Sequence, residues 1–419
     1  MGARVLILIV ALAACKRQSE KWCEMHSGDL EHCGFLLDAR PVCTSEADCA
    51  SSPNAPYCEV AAGICVECIM SEHCAANEIE KYCDLETYRC TSCVTDANCA
   101  SGLCLPNGVC GDDSNIAYVD PDLGVDNPTC GALLKCKTIK AALATKKPNI
   151  KLQGAIKEAV VVDMQRTVTF VAEPGTTLTR PMMGVIMDIT GGSDVSIYDL
   201  TIIGFGEKGI VADMSSTLHL TRVTVTGCNT HDKRAVEVKH ATLFMSRSTI
   251  ASNIGGGILA DANATYVITN SFIYRNGLGD SAVGGASLAP TSAAFNRFEM
   301  NTVVDNVAKT VAGGVECAST VAAPNNIVAR NLTGAANTLA TQTAGPCNFS
   351  QSLLATDLEQ LLFVMPDGTG PWDYHLTAGS IAIDRGVMSN VNVDYDGDMR
   401  PQSTTGVPRF DVGADEYKP

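Results

Sequence analysis

Beyond Cys110 the chain is written in short apolar runs rich in Val, Ile and Thr, with few charges and no long helical periodicity. The runs are Val195 to Ile203, Leu218 to Val225, Leu243 to Ile250, Tyr266 to Ile273 and Phe298 to Val304. Runs of this length and composition predict β-strands. Aligning Ile202, Val225, Ile250, Ile273 and Val303 gives steps of 23, 25, 23 and 30 residues. A second column follows one strand later, in Gly209-Ile210-Val211, Ala235-Val236-Glu237-Val238, Gly257-Ile258-Leu259, Gly285-Ala286-Ser287-Leu288 and Gly314-Val315-Glu316. Repeats of this size predict stacked coils, each with at least two short strands separated by turns.

One coil alone would expose its apolar inner face. Stacking covers that face while backbone hydrogen bonds run between coils about 4.8 Å apart, so the expected class is all-β, a parallel β-helix. Asn253, Asn276, Asn306 and Asn331 fall at like points after the strand column, where Asn tolerates left-handed backbone and stacked amides can form ladders. Gly255-Gly256-Gly257, Gly284-Gly285 and Gly313-Gly314 are expected to supply sharp corners.

The ends of this region carry a resemblance. Ala117-Tyr118-Val119-Asp120, Gly124-Val125-Asp126, Cys130-Gly131, Cys136-Lys137-Thr138-Ile139 and Ala141-Ala142-Leu143 resemble the amino-terminal cap of bacterial right-handed parallel β-helix proteins of the pectate-lyase-like superfamily. Asp373-Tyr374-His375-Leu376, Gly379 to Asp384, Asp394 to Pro401 and Asp411 to Tyr417 resemble their carboxy-terminal motif of the choice-of-anchor type. The resemblance implies a right-handed helix over residues 111–419, with residues 366–419 as the capping motif, and secretion or surface display. It does not imply one reaction, because the superfamily includes lyases, hydrolases, esterases and epimerases beside proteins with no catalysis.

Of 20 cysteines, 15 lie in the first 110 residues. Cys43, Cys68 and Cys93 open three tandem units 25 residues apart over residues 43–110: Cys43, Cys49, Cys58 and Cys65; Cys68, Cys74, Cys83 and Cys90; Cys93, Cys99, Cys104 and Cys110. A unit this small cannot bury a sufficient core, so two disulfides each would hold it, and the sequence does not choose among the three pairings. The units look like the short Cys-rich repeats of bacterial surface lipoproteins. With ten acidic and two basic residues they read as a soluble spacer or partner-binding stalk. Cys65-x-x-Cys68 and Cys90-x-x-Cys93 match a redox motif but fall at the junctions of repeats.

Before them, a positive start and the ten apolar residues Val5 to Ala14 have the length of a secretory h-region and half that of a membrane-spanning helix. Met1-Gly2 does not read as a myristoylation signal, because position 6 is Leu. Leu12-Ala13-Ala14-Cys15 resembles the bacterial lipobox, which implies a signal peptide over residues 1–14, a diacylglyceryl-modified Cys15 and a tether over residues 15–42. An ordinary signal cleaved after Ala14 would leave Cys15 free. Either way the expected compartment is oxidising; the lipidated form is expected in the bacterial cell envelope, at the outer membrane or cell surface, with the membrane as partner through the lipid on Cys15. There Cys23 and Cys33 are expected to pair, although with His26 and His32 they could also ligate zinc. Cys130–Cys136 and Cys317–Cys347 are further expected pairs, leaving Cys228 a buried thiol.

Lys+Arg of 30 against Asp+Glu of 46 gives −16, which argues against nucleic acid as a partner through bulk charge. Chemistry is sparse. Asn229-Thr230-His231 lacks the acid of the polygalacturonase pattern, the Asp-Pro-His-Asp motif of uronan epimerases is absent, and no compact set of calcium carboxylates with a base is evident. The candidate catalytic cluster is His231, Asp232, Lys233 and Arg234, with Arg222 and Glu237 expected nearby, where a base and a carboxylate clamp could serve a β-elimination. Asp394, Asp396 and Asp398 have the alternation of calcium loops without the terminal bidentate Glu; the other reading is a capping turn in which Asp394 and Asp396 bond turn amides and Arg400 pairs with Asp411 or Asp415. No other cofactor is expected. Trp372 is expected to cover the end of the core, and at 5% aromatic content few rings remain for stacking on sugars. The expected function is a non-catalytic, lipid-anchored surface protein whose β-helix binds or displays a polysaccharide or envelope protein; the alternative is a surface polysaccharide lyase or glycoside hydrolase.

Overall fold

The computed structural model describes residues 43–418 except 51, 53–54, 61–63, 75–81, 85–87, 206–207, 229–233, 278–280, 290–294 and 403–408. Cys15, Cys23 and Cys33 therefore lie outside the described residues, as do His231, Asp232 and Lys233. The chain divides into two compact units, Met1–Asp112 and Asp113–Pro419.

In the first unit each repeat opens with a short helical turn, Glu46–Cys49, Ser71–Cys74 or Asp96–Asn98. The position five residues after the opening cysteine does the same work in all three. Asp48 accepts the Thr44 and Ser45 amides at 2.8 and 2.9 Å, Asn98 accepts those of Val94 and Thr95 at 3.0 and 2.9 Å, and His73 Nδ1 accepts that of Ile69 at 3.3 Å. A two-stranded antiparallel hairpin follows in the first two repeats, Tyr57–Glu59 with Ile64–Val66 and Tyr82–Asp84 with Arg89–Thr91. Disulfides join first to third and second to fourth cysteine throughout: Cys43–Cys58, Cys49–Cys65, Cys68–Cys83, Cys74–Cys90, Cys93–Cys104 and Cys99–Cys110. The buried clusters of the first two repeats consist of their own four cysteines. Covalent closure thus replaces an apolar core, each loop of 15 or 16 residues being worth about 3 kcal/mol.

The second unit is a β-solenoid. Among the described residues its strands form three parallel sheets of ten, nine and eight strands. One coil runs through Asp194–Tyr198 in the ten-stranded sheet, Thr201–Ile203 in the nine-stranded sheet and Ile210–Ala212 in the eight-stranded sheet. The next coil begins at Thr217–Thr221, in register beside Asp194–Tyr198. Ile202, Val225, Ile250, Ile273 and Val303 are direct neighbours across the nine-stranded sheet, and all are fully buried. Burial of each such side chain is worth about 1.5–3 kcal/mol. The continuous runs of the sequence are each two strands, broken by a residue with left-handed backbone: Asp199, Arg222, Arg247, Asn270 and Met300, with φ from 46° to 62°.

The asparagine column works differently from the expectation that Asn itself takes the left-handed turn. The residue before each one does so: Ser252, Arg275, Asp305 and Arg330, with φ between 51° and 58°. That turn sends each Asn side chain inward, where Asn253, Asn276, Asn306 and Asn331 are fully buried. Each donates Nδ2 to the next amide oxygen, at 2.9, 2.9 and 3.0 Å, and Asn331 ends the chain on Gln342 Oε1 at 3.0 Å. The glycine column owes its composition partly to crowding. A Cβ on Gly257 or Gly285 would meet the Gly285 or Gly314 carbonyl of the next coil at 2.4 or 2.5 Å.

At the amino-terminal end the helix Ile139–Ala144 buries Ile139 and Ala142, and Glu158 accepts its first amides at 2.7 and 2.9 Å. Cys130–Cys136 closes the segment before it, and Cys317–Cys347 ties neighbouring coils. Cys228 is a buried free thiol, pushed up to about 12 by its burial.

Candidate binding cleft

Outward positions of the nine-stranded sheet change character along the solenoid. They are Thr224 and Thr226 in one coil and Thr249 and Ala251 in the next, then Phe272 and Tyr274, Thr302 and Val304, Ile327 and Ala329. An apolar outer face needs a cover, and the carboxy-terminal segment provides it. Phe363, Tyr374, Leu376, Ala382, Val412 and Ala414 form a second core with Phe272, Val304, Ile327 and Ala329. The capping motif expected over residues 366–419 is part of this cover. The segment joins this core from Leu358 onward and lies along the flank, because that is where the outward residues are apolar.

Polar contacts fix its position. Arg330 grips Asp305 at 2.5 and 2.9 Å, and Tyr374 Oη donates to the same carboxylate at 2.5 Å. Asn325 exchanges two hydrogen bonds with Val387 at 2.9 and 3.0 Å. Gly413, at φ 103°, passes so close to the sheet that a Cβ would lie 2.7 Å from Ile327 Cδ1. Arg247 reaches across 148 positions to donate to the Tyr395 carbonyl at 2.9 Å.

Between the segment and the sheet lies a cleft of about 290 Å³, lined by Phe272, Tyr274, Trp372, Tyr374 and Tyr395 together with Thr249, Met365, Pro371, Asp373 and His375. The rings brace one another. Phe272 packs edge-on to Tyr395 at 4.5 Å and to His375 at 5.0 Å, and Tyr274 is tilted against Tyr374 at 4.9 Å. Trp372 does not cover the end of the core as expected; it lies on this flank with the Arg275 guanidinium 4.1 Å from its ring centroid. Five of the chain's 22 Phe, Tyr and Trp residues thus meet at one site, which composition alone could not reveal.

His375 is the charged centre of the cleft wall. Its Nδ1 lies 2.5 Å from Asp373 Oδ1 and its Nε2 3.2 Å from Asp396 Oδ2. Burial pulls the imidazole down, but the Asp373 hydrogen bond and the charges of Asp415 and Asp396 outweigh it, holding His375 above the usual histidine range. Burial raises Asp396 despite the opposing charge of His375. It also pushes Asp415 up to about 6, against the Leu376 amide bonded to it at 2.6 Å.

The carboxylates expected as one calcium loop hold different partners. Asp394 is fully buried and accepts the Gly397 and Asp398 amides at 2.8 Å each, as a capping turn requires. Asp398 pairs with Lys418 at 3.0 Å, and only Asp396 turns toward His375. Arg400 pairs with an acid of the final segment, Glu416, at 3.4 Å and donates to the Asp411 and Gly413 carbonyls. Of the expected catalytic cluster only Arg234 is described, and it donates to the Gly255 carbonyl. Arg222 and Glu237 belong to separate clusters: Arg222 binds Asp199 at 2.5 Å, whereas Glu237, in the eight-stranded sheet, binds Lys208 and Lys239.

A family model described as the right handed beta helix region matches residues 184–349, and the solenoid is accordingly right-handed. No curated protein matches the chain. Among solved structures, a crystal structure of the pectate lyase Pel9A is similar at a TM-score of 0.43 and 14% identity, covering 72% of this chain and 96% of that one.

Proposed function

We propose that this chain is an exported, lipid-anchored protein of the bacterial cell envelope whose β-helix binds a neutral saccharide in the aromatic cleft without transforming it. The observation that carries the reading is the convergence of Phe272, Tyr274, Trp372, Tyr374 and Tyr395 on one cavity with Asp373 and His375 at its wall. Aromatic faces pack against the C–H faces of sugar rings, and a carboxylate accepts their hydroxyls. Concave, mostly apolar sites with a few placed polar groups are where small ligands bind. Asp373 and Asp396 beside the cleft, in a chain of net charge −16, disfavour a uronic acid and favour a neutral sugar. The lipobox-like Leu12-Ala13-Ala14-Cys15 and the disulfide repeats support export, with Cys15 as the anchor and the repeats as a spacer.

A second reading, a surface glycoside hydrolase or polysaccharide lyase, is favoured by His375, an imidazole held above the usual histidine range in the wall of the cleft, where a proton donor would stand. A glycan array probed with wild-type protein and Trp372→Ala separates the readings. Binding to neutral glycans, weakened roughly tenfold by the substitution, about 1.4 kcal/mol, and without new reducing ends or unsaturated products, supports binding. Released products support the enzyme, and binding confined to polyuronates contradicts the proposed ligand class. Cys15→Ser is expected to move the protein from the membrane to the soluble fraction; unchanged retention refutes the anchor.

A further inference from the structure

We propose that His375, Asp396 and Asp415 form a binding site for one divalent first-row transition cation, for which Zn²⁺ is the fitting ion. The three residues come from a strand, a turn and the final segment, and one ligand atom of each lies within 4.8 Å of the others. Ligands at 2.0–2.2 Å from a tetrahedral zinc ion lie about 3.3–3.6 Å apart, a spacing that His375 Nε2 and Asp396 Oδ2 nearly have already at 3.2 Å, and a pair at the 4.8 Å limit closes by about an ångström of side-chain movement. The other groups of three ligand-type side chains among the described residues are cysteines already joined in disulfides.

The orientation of the histidine supports the site. Its Nδ1 faces Asp373 Oδ1 at 2.5 Å, which in the neutral ring places the proton there and leaves the lone pair on Nε2. Nε2 is buried, makes no hydrogen bond among the described residues and faces the Asp396 carboxylate 3.2 Å away. A carboxylate that fixes the outer nitrogen of a histidine while the inner one is free to ligate is the usual support of a metal-bound imidazole. The turn carrying Asp396 is itself held, because Arg247 donates to the Tyr395 carbonyl at 2.9 Å and to the Asp396 carbonyl at 2.6 Å.

The donor set selects the ion. Calcium takes six to eight oxygens, whereas one imidazole and two carboxylates with an open position suit zinc. Asp396 is thus the one member of the expected calcium loop that enters the site, with partners distant in sequence. The site does not depend on saccharide binding and is tested without any sugar.

Full-length protein stripped with a chelator is titrated calorimetrically with ZnCl₂ and weighed by native mass spectrometry. The expected result is one Zn²⁺ that is lost in His375→Ala and in Asp396→Asn, and bound about tenfold to a hundredfold more weakly in Asp373→Asn. Asp396 is solvent-exposed at its edge, so its substitution leaves the fold intact, which thermal unfolding verifies. No zinc uptake, uptake unchanged in both ligand variants, or Ca²⁺ bound as tightly as Zn²⁺ overturns the proposal.

Discussion

At the scale of the residue, the interior of the solenoid depends on amides as much as on aliphatic side chains. Asn276 accepts the Asn253 backbone and side-chain N–H groups at 3.2 and 2.9 Å and donates to the Ile250 carbonyl and Asn306 Oδ1 at 2.8 and 2.9 Å. Removing a buried partner leaves its neighbours unsatisfied at about 1–3 kcal/mol each. Asn276→Ala is therefore expected to destabilise the solenoid by about 3 kcal/mol in denaturant unfolding, with Asn276→Asp almost as harmful because a carboxylate cannot donate. A cost under about 0.5 kcal/mol would show that the ladder is incidental. The positions of these asparagines were legible in the sequence because they recur with the coil. That the preceding residue makes the turn was not, since Ser252, Arg275, Asp305 and Arg330 share a backbone conformation and no side-chain chemistry.

At the scale of the element, the carboxy-terminal segment is expected to dock in a pH-dependent way. Burial raises Asp411 and Asp415 to about 6, and burial with the charge of Asp411 raises Glu416 to about 7. A carboxyl raised on folding binds its proton more tightly in the folded state. Its contribution is fully present below the unfolded value near 4 and is lost as the pH rises through the folded one. His375, also raised, acts in the same direction. The segment is expected to be held more firmly at pH 5 than at pH 7.5, read as faster hydrogen exchange at the Leu376 and Val412 amides at the higher pH after correction for intrinsic rates. Corrected exchange that slows over this range would contradict the assignment. The segment was legible as a closing element from its motif, but its berth was not. The signal was present in the outward positions, where Thr224 and Thr226 give way to Phe272 and Tyr274. That change shows only at the outward parity, which the alternation of each strand sets once its inward column is fixed.

At the scale of the whole molecule, two means of stabilisation share one chain. Residues 43–110 are held by six disulfides around cores made of cysteine, and the solenoid by stacked aliphatic columns with only two. Periodicity showed both, because a repeat leaves its period in the sequence whether its core is covalent or packed. The cleft leaves no such trace. Its walls bring Phe272 and Tyr274 against residues about a hundred positions later, a contact that exists only after the segment has folded back. The central claim is that this cleft is the saccharide site, and the chain carries a built-in reporter, since Trp22 and Trp372 are its two tryptophans. In a Trp22→Phe variant the emission comes from Trp372 alone. Titration with a neutral oligosaccharide bound by the protein is predicted to shift that emission saturably, with a midpoint equal to the calorimetric Kd. Saturable binding that leaves the Trp372 emission unchanged would place the ligand elsewhere and contradict the account.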